Sequence, residues 1–451
     1  MFTLKELNFI TENDLSQLTQ VITNVAIDGR KITENGLYVP IKGANNDGHA
    51  FLQQAINHGA VATLWEIETE IPFDVKLPKG FTFINVPSTY KALHQIATYY
   101  REKVNPTVIG VTGSNGKTTT KDILYTLLSP TFSTHKTEGN LNNHYGVPLT
   151  LLSMPIDTQV AVIEMGMSDL GEIEELSLLS KPDFAVITNI GESHLLQLKT
   201  RENIAKAKLE ITAGLKNKEC LYYDGNETLL SGTQGHPIKF GNLPHDILLN
   251  RKHSNHKVSF EFCEETYELP ILGDHHAKNA AYAISIAKRL GVSTEQIKKE
   301  LFNIQVTGMR MEPSIGLNNS LLLNDAYNAS PVSMKGAIKT IGDLNGYTQK
   351  ILILGDMLEL GANEEELHRS IVSSINSSIT HVFCLGGRAK WIHEEISEKL
   401  STVKSLHSYN HVDIITSIRP LLDENTVVMA KASRGLKLDK IIEAFQQKLG
   451  G

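Results

Sequence analysis

The residues best suited to chemistry lie at 109–120, IGVTGSNGKTTT. The β-branched run TVIGVTG leads into the glycines, and KTTTKDILYTLLS, with helical spacing, leads out of them. Gly113 and Gly116 permit tight turns that let backbone N–H groups face phosphate oxygens. The helix start adds its positive end to the same anion. Gly113, Ser114, Asn115, Gly116, Lys117, Thr118 and Thr119 therefore form a candidate phosphate cradle. Lys117 would reach the β/γ phosphates and Thr118 would offer a hydroxyl to magnesium. The usual pattern, G-x-x-x-x-G-K-[ST], wants glycine where Val111 stands, so the loop is a shifted relative of it. A glycine-rich turn with no ligand is the plain alternative. Phosphate binding alone leaves ATPase, kinase and ligase open.

Further polar residues lie downstream. Glu164 closes an apolar strand in AVIEMGM. A carboxylate there faces the crevice where parallel sheets bind ligands, and its oxygens suit magnesium; a capping or ion-pair glutamate is the alternative. His194 follows the next strand, in NIGESHL, and is either a site residue or a structural histidine. Lys206, Lys208 and Glu210 lie in NIAKAKLEI, where a helical lysine is ordinarily a solvated group. Asp325 and Asn328 occupy a strand-to-helix loop in LNDAYNASP. Arg310, in TGMRME, would either cover a transferring phosphoryl group or form an interdomain salt bridge.

Three units are expected to position these side chains. Residues 1–104 read as a small α/β domain, with a helix at 50–60 and another at 88–102. Asn105-Pro106 marks a hinge, because the residue before proline is pushed out of the helical region. Residues 105–312 alternate strand (107–113, 158–165, 183–190) with helix (201–215, 275–291), which implies a mostly parallel sheet. Residues 313–451 repeat that alternation, with strands 321–327, 350–356, 381–387 and 425–430 and helices 332–342, 364–376 and 438–449. The fold class is α/β in three domains: a small N-terminal one, a central phosphate-loop ATPase domain and a C-terminal Rossmann-like domain.

Composition narrows the classes further. The 451 residues carry 43 Lys plus Arg against 50 Asp plus Glu, a net charge of −7, so a nucleic-acid coat is not expected. Cys220, Cys263 and Cys384 are far apart, which argues against a disulfide scaffold or a cysteine zinc site. The opening MFTLKELNFITENDLSQ has no basic head before an apolar run, so no signal peptide is expected. No uncharged apolar run approaches the ~20 residues that span a bilayer. A cytoplasmic monomer is the expectation.

In this order, and over essentially the whole chain, the motifs resemble those of the Mur ligases of peptidoglycan synthesis. The resemblance runs closest to the member that adds a dipeptide. It implies ATP-dependent amide formation, through an acyl phosphate, between UDP-N-acetylmuramoyl-tripeptide and D-alanyl-D-alanine. It implies that the first domain binds the UDP-sugar through Asp28, Arg30, Lys42, Asp47 and His49, with Gly29 where the family usually has serine. Thr137, Asn140, Asn142 and Asn143 match the segment that meets the muramoyl peptide. Thr118, Glu164 and His194 match ligands of two magnesium ions. Lys208 matches a lysine carbamylated by carbon dioxide, which would make it a further metal ligand.

On the nucleotide side the resemblance assigns Asn279, Arg310, Asp325, Tyr327 and Asn328. The pair His275-His276 and Ser330 depart from the family's asparagines, and Ala432 from a glycine in Lys431–Arg434. Asp356, Met357 and Glu359–Gly361 match a further signature. The catalytic set implied is Lys117, His194, Lys208 and Arg310. Alternatives are the sibling that adds the third amino acid, a folate polyglutamate synthetase, and a nucleotide-binding regulatory module without turnover.

Overall fold

Alternation of inward and outward apolar residues builds the sheets of this protein, known here from a computed structural model that describes residues 1–43, 46–243, 245–249 and 257–446. The central sheet has six parallel strands in the spatial order His236–Ile238, Leu221–Asp224, Phe184–Ile187, Thr107–Thr112, Val160–Glu164 and Thr134–Lys136. Strand Thr107–Thr112 is paired on both sides, with Thr112 opposite Ile187 and Val111 opposite Glu164. Its neighbours on either side come later in the chain. The crevice therefore opens beyond the carboxyl ends of these three strands.

Helix Lys117–Leu128 starts there and packs against helix His275–Arg289. Two glycines permit the close approach. Gly113 has φ +146°, and a Cβ on it would lie 1.8 Å from Thr188 Oγ1. Gly116 has φ +82°, and a Cβ there would lie 2.8 Å from Asn279 Oδ1.

The C-terminal sheet also has six strands, in the order Glu312–Ile315, Leu321–Asn324, Thr426–Lys431, Gln349–Gly355, His381–Leu385 and Lys404–Ser408. Only the first pair is antiparallel. Its strands are apolar on both faces. Leu323, Leu352, Leu354 and Met429 face one core with helix Pro331–Asp343, while Leu322, Ile351, Ile353 and Val428 face another with helix His411–Ile418. Period-two alternation between two cores is what a parallel sheet covered by helices on both faces requires.

The edge strands Glu312–Ile315 and Lys404–Ser408 were not expected; the first is mostly exposed and the second only partly buried, so neither carries a strong apolar run. The expected helix at 438–449 spans Asp439–Glu443, and 447–449 lie outside the described residues. At 201–215 the α-helix ends at Leu209 and one 3₁₀ turn follows.

At the N-terminus four parallel strands, Asn24–Ala26, Gly36–Tyr38, Ala60–Glu66 and Thr82–Val86, form a small sheet. Helix Thr89–Val104 buries Ala92, Leu93, Ile96, Ala97 and Tyr100, one helical stripe. That stripe belongs to an apolar cluster continuous from Phe2 into the central sheet. The Tyr100 hydroxyl donates to Met154 O at 2.8 Å. Arg101, only 3% exposed, donates from Nε to Ser180 O and from Nη2 to Lys181 O, both at 3.0 Å. Among the described residues no helix is long and apolar enough to cross a membrane.

Arg101 thus ties the first unit to the second. Replacing it with alanine strips two carbonyls of their donor and should cost roughly 2–4 kcal/mol. Urea denaturation followed by far-UV circular dichroism should show an earlier first transition; an unchanged midpoint would contradict the assigned role.

Candidate active site

Short strand ends converge on the phosphate loop and hold it from behind. Ser114 N–H donates to Asn189 O at 3.1 Å and Asn115 N–H to Asn189 Oδ1 at 2.9 Å. Gly191 N–H donates to Ser114 Oγ at 2.8 Å, and the Thr188 hydroxyl donates to Asn115 O at 2.5 Å. Lys117 folds over the loop, its Nζ donating to Gly113 O at 2.8 Å.

Around the loop lies a cleft of about 890 Å³. It is lined by Ser114 through Thr119, Asn140, Asn142, Asn143, Glu164, His194, Lys208, Asn279, Arg310, Asp325, Tyr327 and Asn328. Residues 215 positions apart in sequence meet here: Asn115 Nδ2 donates to Ser330 Oγ, at the N-cap of helix Pro331–Asp343, at 3.2 Å.

Glu164 is 2% exposed, and its Oε1 accepts from Asn142 Nδ2 at 2.8 Å. Its Oε2 has no hydrogen-bond partner, and Lys121 Nζ stands 3.9 Å away. Lys208 is also 2% exposed, and no described residue offers it a hydrogen bond or a counter-ion. Burial, then the charge of Lys117, holds its amine well below the usual lysine range. Burial likewise lowers Lys117, with Glu164 opposing and Arg310 adding to the shift.

Burial, followed by the charges of Lys117 and Lys208, pushes His194 down to about 4, so the ring is neutral at pH 7. Its Nδ1 comes within 2.9 Å of Glu359 Oε2 without hydrogen-bond alignment. Arg310 donates from Nη2 to Thr118 Oγ1 at 2.8 Å and lies over the Tyr327 ring at 4.4 Å. Lys431 Nζ bonds Asp325 Oδ2 at 2.7 Å.

Two groups of expected site residues lie elsewhere. Thr137 is fully buried and faces away from the cleft; its hydroxyl accepts the Glu164 N–H at 2.9 Å and its carbonyl accepts Lys121 Nζ at 2.9 Å. It supports Glu164 from behind. Asp28, Arg30, Lys42, Asp47 and His49 belong to the first unit and do not line this cleft. Asp28 caps a turn and pairs with Arg30 at 2.8 Å. Asp47 does the same for His49, whose buried ring packs edge-on against Trp65.

Residues 111–287 match the Mur ligase middle domain, 309–434 the Mur ligase glutamate ligase domain and 21–101 the catalytic domain of the Mur ligase family. A UDP-N-acetylmuramoyl-tripeptide–D-alanyl-D-alanine ligase of Bacillus subtilis is 42% identical over 429 residues, covering 94% of this chain and 93% of its own length. This chain belongs to the Mur ligase family. Its fold matches MurF from Acinetobacter baumannii, with a TM-score of 0.83, 27% identity and 98% of each chain covered. It also matches the MurF ligase from Thermotoga maritima in complex with ADP, with a TM-score of 0.81, 26% identity, and 94% of this chain and 96% of that one covered.

ATP and magnesium use is consistent with the Mur ligase family, and the residues fit both. The unpartnered Glu164 oxygen and the Thr118 hydroxyl are hard oxygen donors. Among the described residues no group of three or more His, Cys, Asp or Glu forms a metal cage by itself. Magnesium needs no such cage, because one or two carboxylates together with phosphates hold it. A protonated Lys208 would repel the ion, so Lys208 fits only as a neutral or modified group.

Sequence reasoning missed Asn189, which holds the loop at two residues. Asn189 had a usable signal, a polar residue just past the end of a parallel strand.

Gly113→Ala tests the loop geometry. The added methyl would clash with Thr188 in a backbone conformation that alanine disfavours. Calorimetric ATP affinity should fall at least about tenfold, roughly 1.4 kcal/mol. Binding at the wild-type level would show that the loop does not need this close approach.

Proposed function

We propose that this Mur ligase joins D-alanyl-D-alanine to the terminal carboxylate of UDP-N-acetylmuramoyl-tripeptide, consuming ATP in peptidoglycan precursor synthesis. The observation that carries this reading is the full-length similarity to the Bacillus subtilis ligase of that name. The convergence of Lys117, Glu164, His194, Lys208 and Arg310 on one cleft supports it. ATP, when bound, would supply the γ-phosphoryl group that activates the carboxylate as an acyl phosphate, leaving ADP; the neutral dipeptide amine would then attack the acyl carbon, forming the amide bond as phosphate leaves and the nitrogen loses a proton. Magnesium, when bound, supplies positive charge between the carboxylate and the triphosphate, which otherwise repel one another.

The chain's own residues divide the work. The loop amides and Lys117 hold the β/γ phosphates, and Asn279 serves the adenine side. Asp325, Tyr327 and Asn328 bring the C-terminal unit onto the nucleotide. Thr118 and Glu164 are the ligands proposed for one magnesium, with Asn142 orienting Glu164. His194 and Lys208 are those proposed for a second. Arg310, held by Thr118 and Tyr327, covers the transferring phosphoryl group.

Lys208 acts as a carbamate. Its neutral amine adds to carbon dioxide, forming an N–C bond and releasing one proton, and the product is anionic. Burial without a counter-ion, which favours the neutral amine, supports this step. Units 1–104, 105–312 and 313–451 bind the UDP-sugar, bind ATP and close over both. Asp28, Arg30, Lys42, Asp47 and His49 meet the uridine nucleotide, while Asn140 and Asn143 meet the muramoyl peptide. The enzyme works as a cytoplasmic monomer.

ADP release should be measured with magnesium, the muramoyl tripeptide and one of three amines: D-alanyl-D-alanine, a diamino acid or glutamate. Only the dipeptide should support turnover; a preference for either other amine would overturn the assignment. Lys208→Ala should slow turnover by about 10²-fold and Lys117→Ala by more. After exposure to ¹³C-labelled carbon dioxide, the wild type should show a carbamate carbon resonance that Lys208→Ala lacks. Its absence from the wild type would remove the modification while leaving the ligase reading intact.

A further inference from the structure

One buried polar cluster behind the cleft has no part in the chemistry described above. Asp122, 1% exposed, lies on helix Lys117–Leu128 and has both carboxylate oxygens engaged. Its Oδ2 accepts from Thr307 N–H at 2.8 Å and from the Thr307 hydroxyl at 2.7 Å. Its Oδ1 accepts from Lys136 Nζ at 3.0 Å, and Lys121 Nζ stands 3.6 Å away. Thr307 follows Ile304 and Val306, which pack on the central core, and precedes the crossing into the C-terminal sheet.

Three residues beyond Thr307 is Arg310, flanked by Met309 at φ +62° and Met311 at φ +52°. Left-handed backbone at two non-glycine residues persists only where the surroundings over-determine it. Downstream the chain is pinned by Met309 N–H to Glu312 Oε2 at 2.8 Å and by Met311 N–H to Asp325 Oδ1 at 3.3 Å. Upstream the anchor is Asp122. The same helix therefore carries Thr118, which receives Arg310, and Asp122, which holds the chain that delivers it.

We infer that Asp122 is a positioning residue for phosphoryl transfer, fixing through Thr307 where Arg310 meets the phosphate loop. This rests on the role given to Arg310 under the proposed function.

A double-mutant cycle with the dipeptide as amine tests it. Asp122→Asn should lower kcat by about tenfold and Thr307→Val by about fivefold, with the KM for D-alanyl-D-alanine unchanged. Thr307→Ser, which restores the hydroxyl, should return kcat to within about twofold of the wild type. In an Arg310→Ala background neither Asp122→Asn nor Thr307→Val should slow the enzyme further, because the group they position is gone. The inference is overturned if their effects multiply with that of Arg310→Ala, or if both single variants keep wild-type kcat. Should Asp122→Asn fail to fold, the Thr307 variants decide alone. If Arg310→Ala itself turns over normally, the role of Arg310 falls and this inference with it. Slow Arg310→Ala with multiplying effects removes only Asp122.

Discussion

Three basic side chains, Lys117, Lys208 and Arg310, line one cleft together with the buried carboxylate of Glu164. Holding charge out of water costs several kcal/mol per ion unless an opposite charge or hydrogen bonds compensate. One oxygen of Glu164 accepts no hydrogen bond and has only Lys121 Nζ at 3.9 Å, and Lys208 has no counter-charge among the described residues. Such a site is built for what enters it. A polyanion would complement Lys117 and Arg310, and a hard cation would complement the Glu164 carboxylate. The rest of the fold holds these groups close together against their own repulsion.

The central sheet supplies most of that restraint. The strands ending at Thr112, Glu164 and Ile187 lie side by side, so the phosphate loop, a carboxylate and the Asn189 segment emerge at one level. Asn189 bonds two residues of the loop, and Gly113 and Gly116 let the loop lie against Thr188 and Asn279. Preorganisation of this kind costs nothing at the moment of reaction, which is why fixed dipoles are effective in transfer chemistry.

The C-terminal unit completes the cleft and is tied to it at several points. Ser330 meets Asn115, Glu359 approaches His194, and Leu196 N–H donates to Glu359 O at 3.0 Å. Contacts spread over separate loops restrict rotation more than a single hinge contact would. Helix Thr89–Val104 has the corresponding role for the first unit, through Tyr100 and Arg101.

Local sequence determined the elements whose signal is local. The phosphate loop, the strands that end in Glu164 and precede His194, and the Ala-rich helix from His275 were all legible, because β-branched runs, glycines and helical spacing act over a few residues. The motif order also carried the family. Short or exposed pieces such as Lys404–Ser408 were not legible, since their strand state comes from pairing with a neighbour rather than from their own side chains.

What only the tertiary structure decided is the direction in which each polar side chain points and what it meets. Thr137 and Asn142 sit five residues apart, yet one is sealed behind Glu164 and the other faces it from the cleft. Lys206 and Lys208 share a helix, but only Lys208 is buried. Asp122 gains its partner Thr307 across 185 residues. Burial and long-range hydrogen bonds are set by how sheets and helices pack, and no run of neighbouring residues encodes that packing.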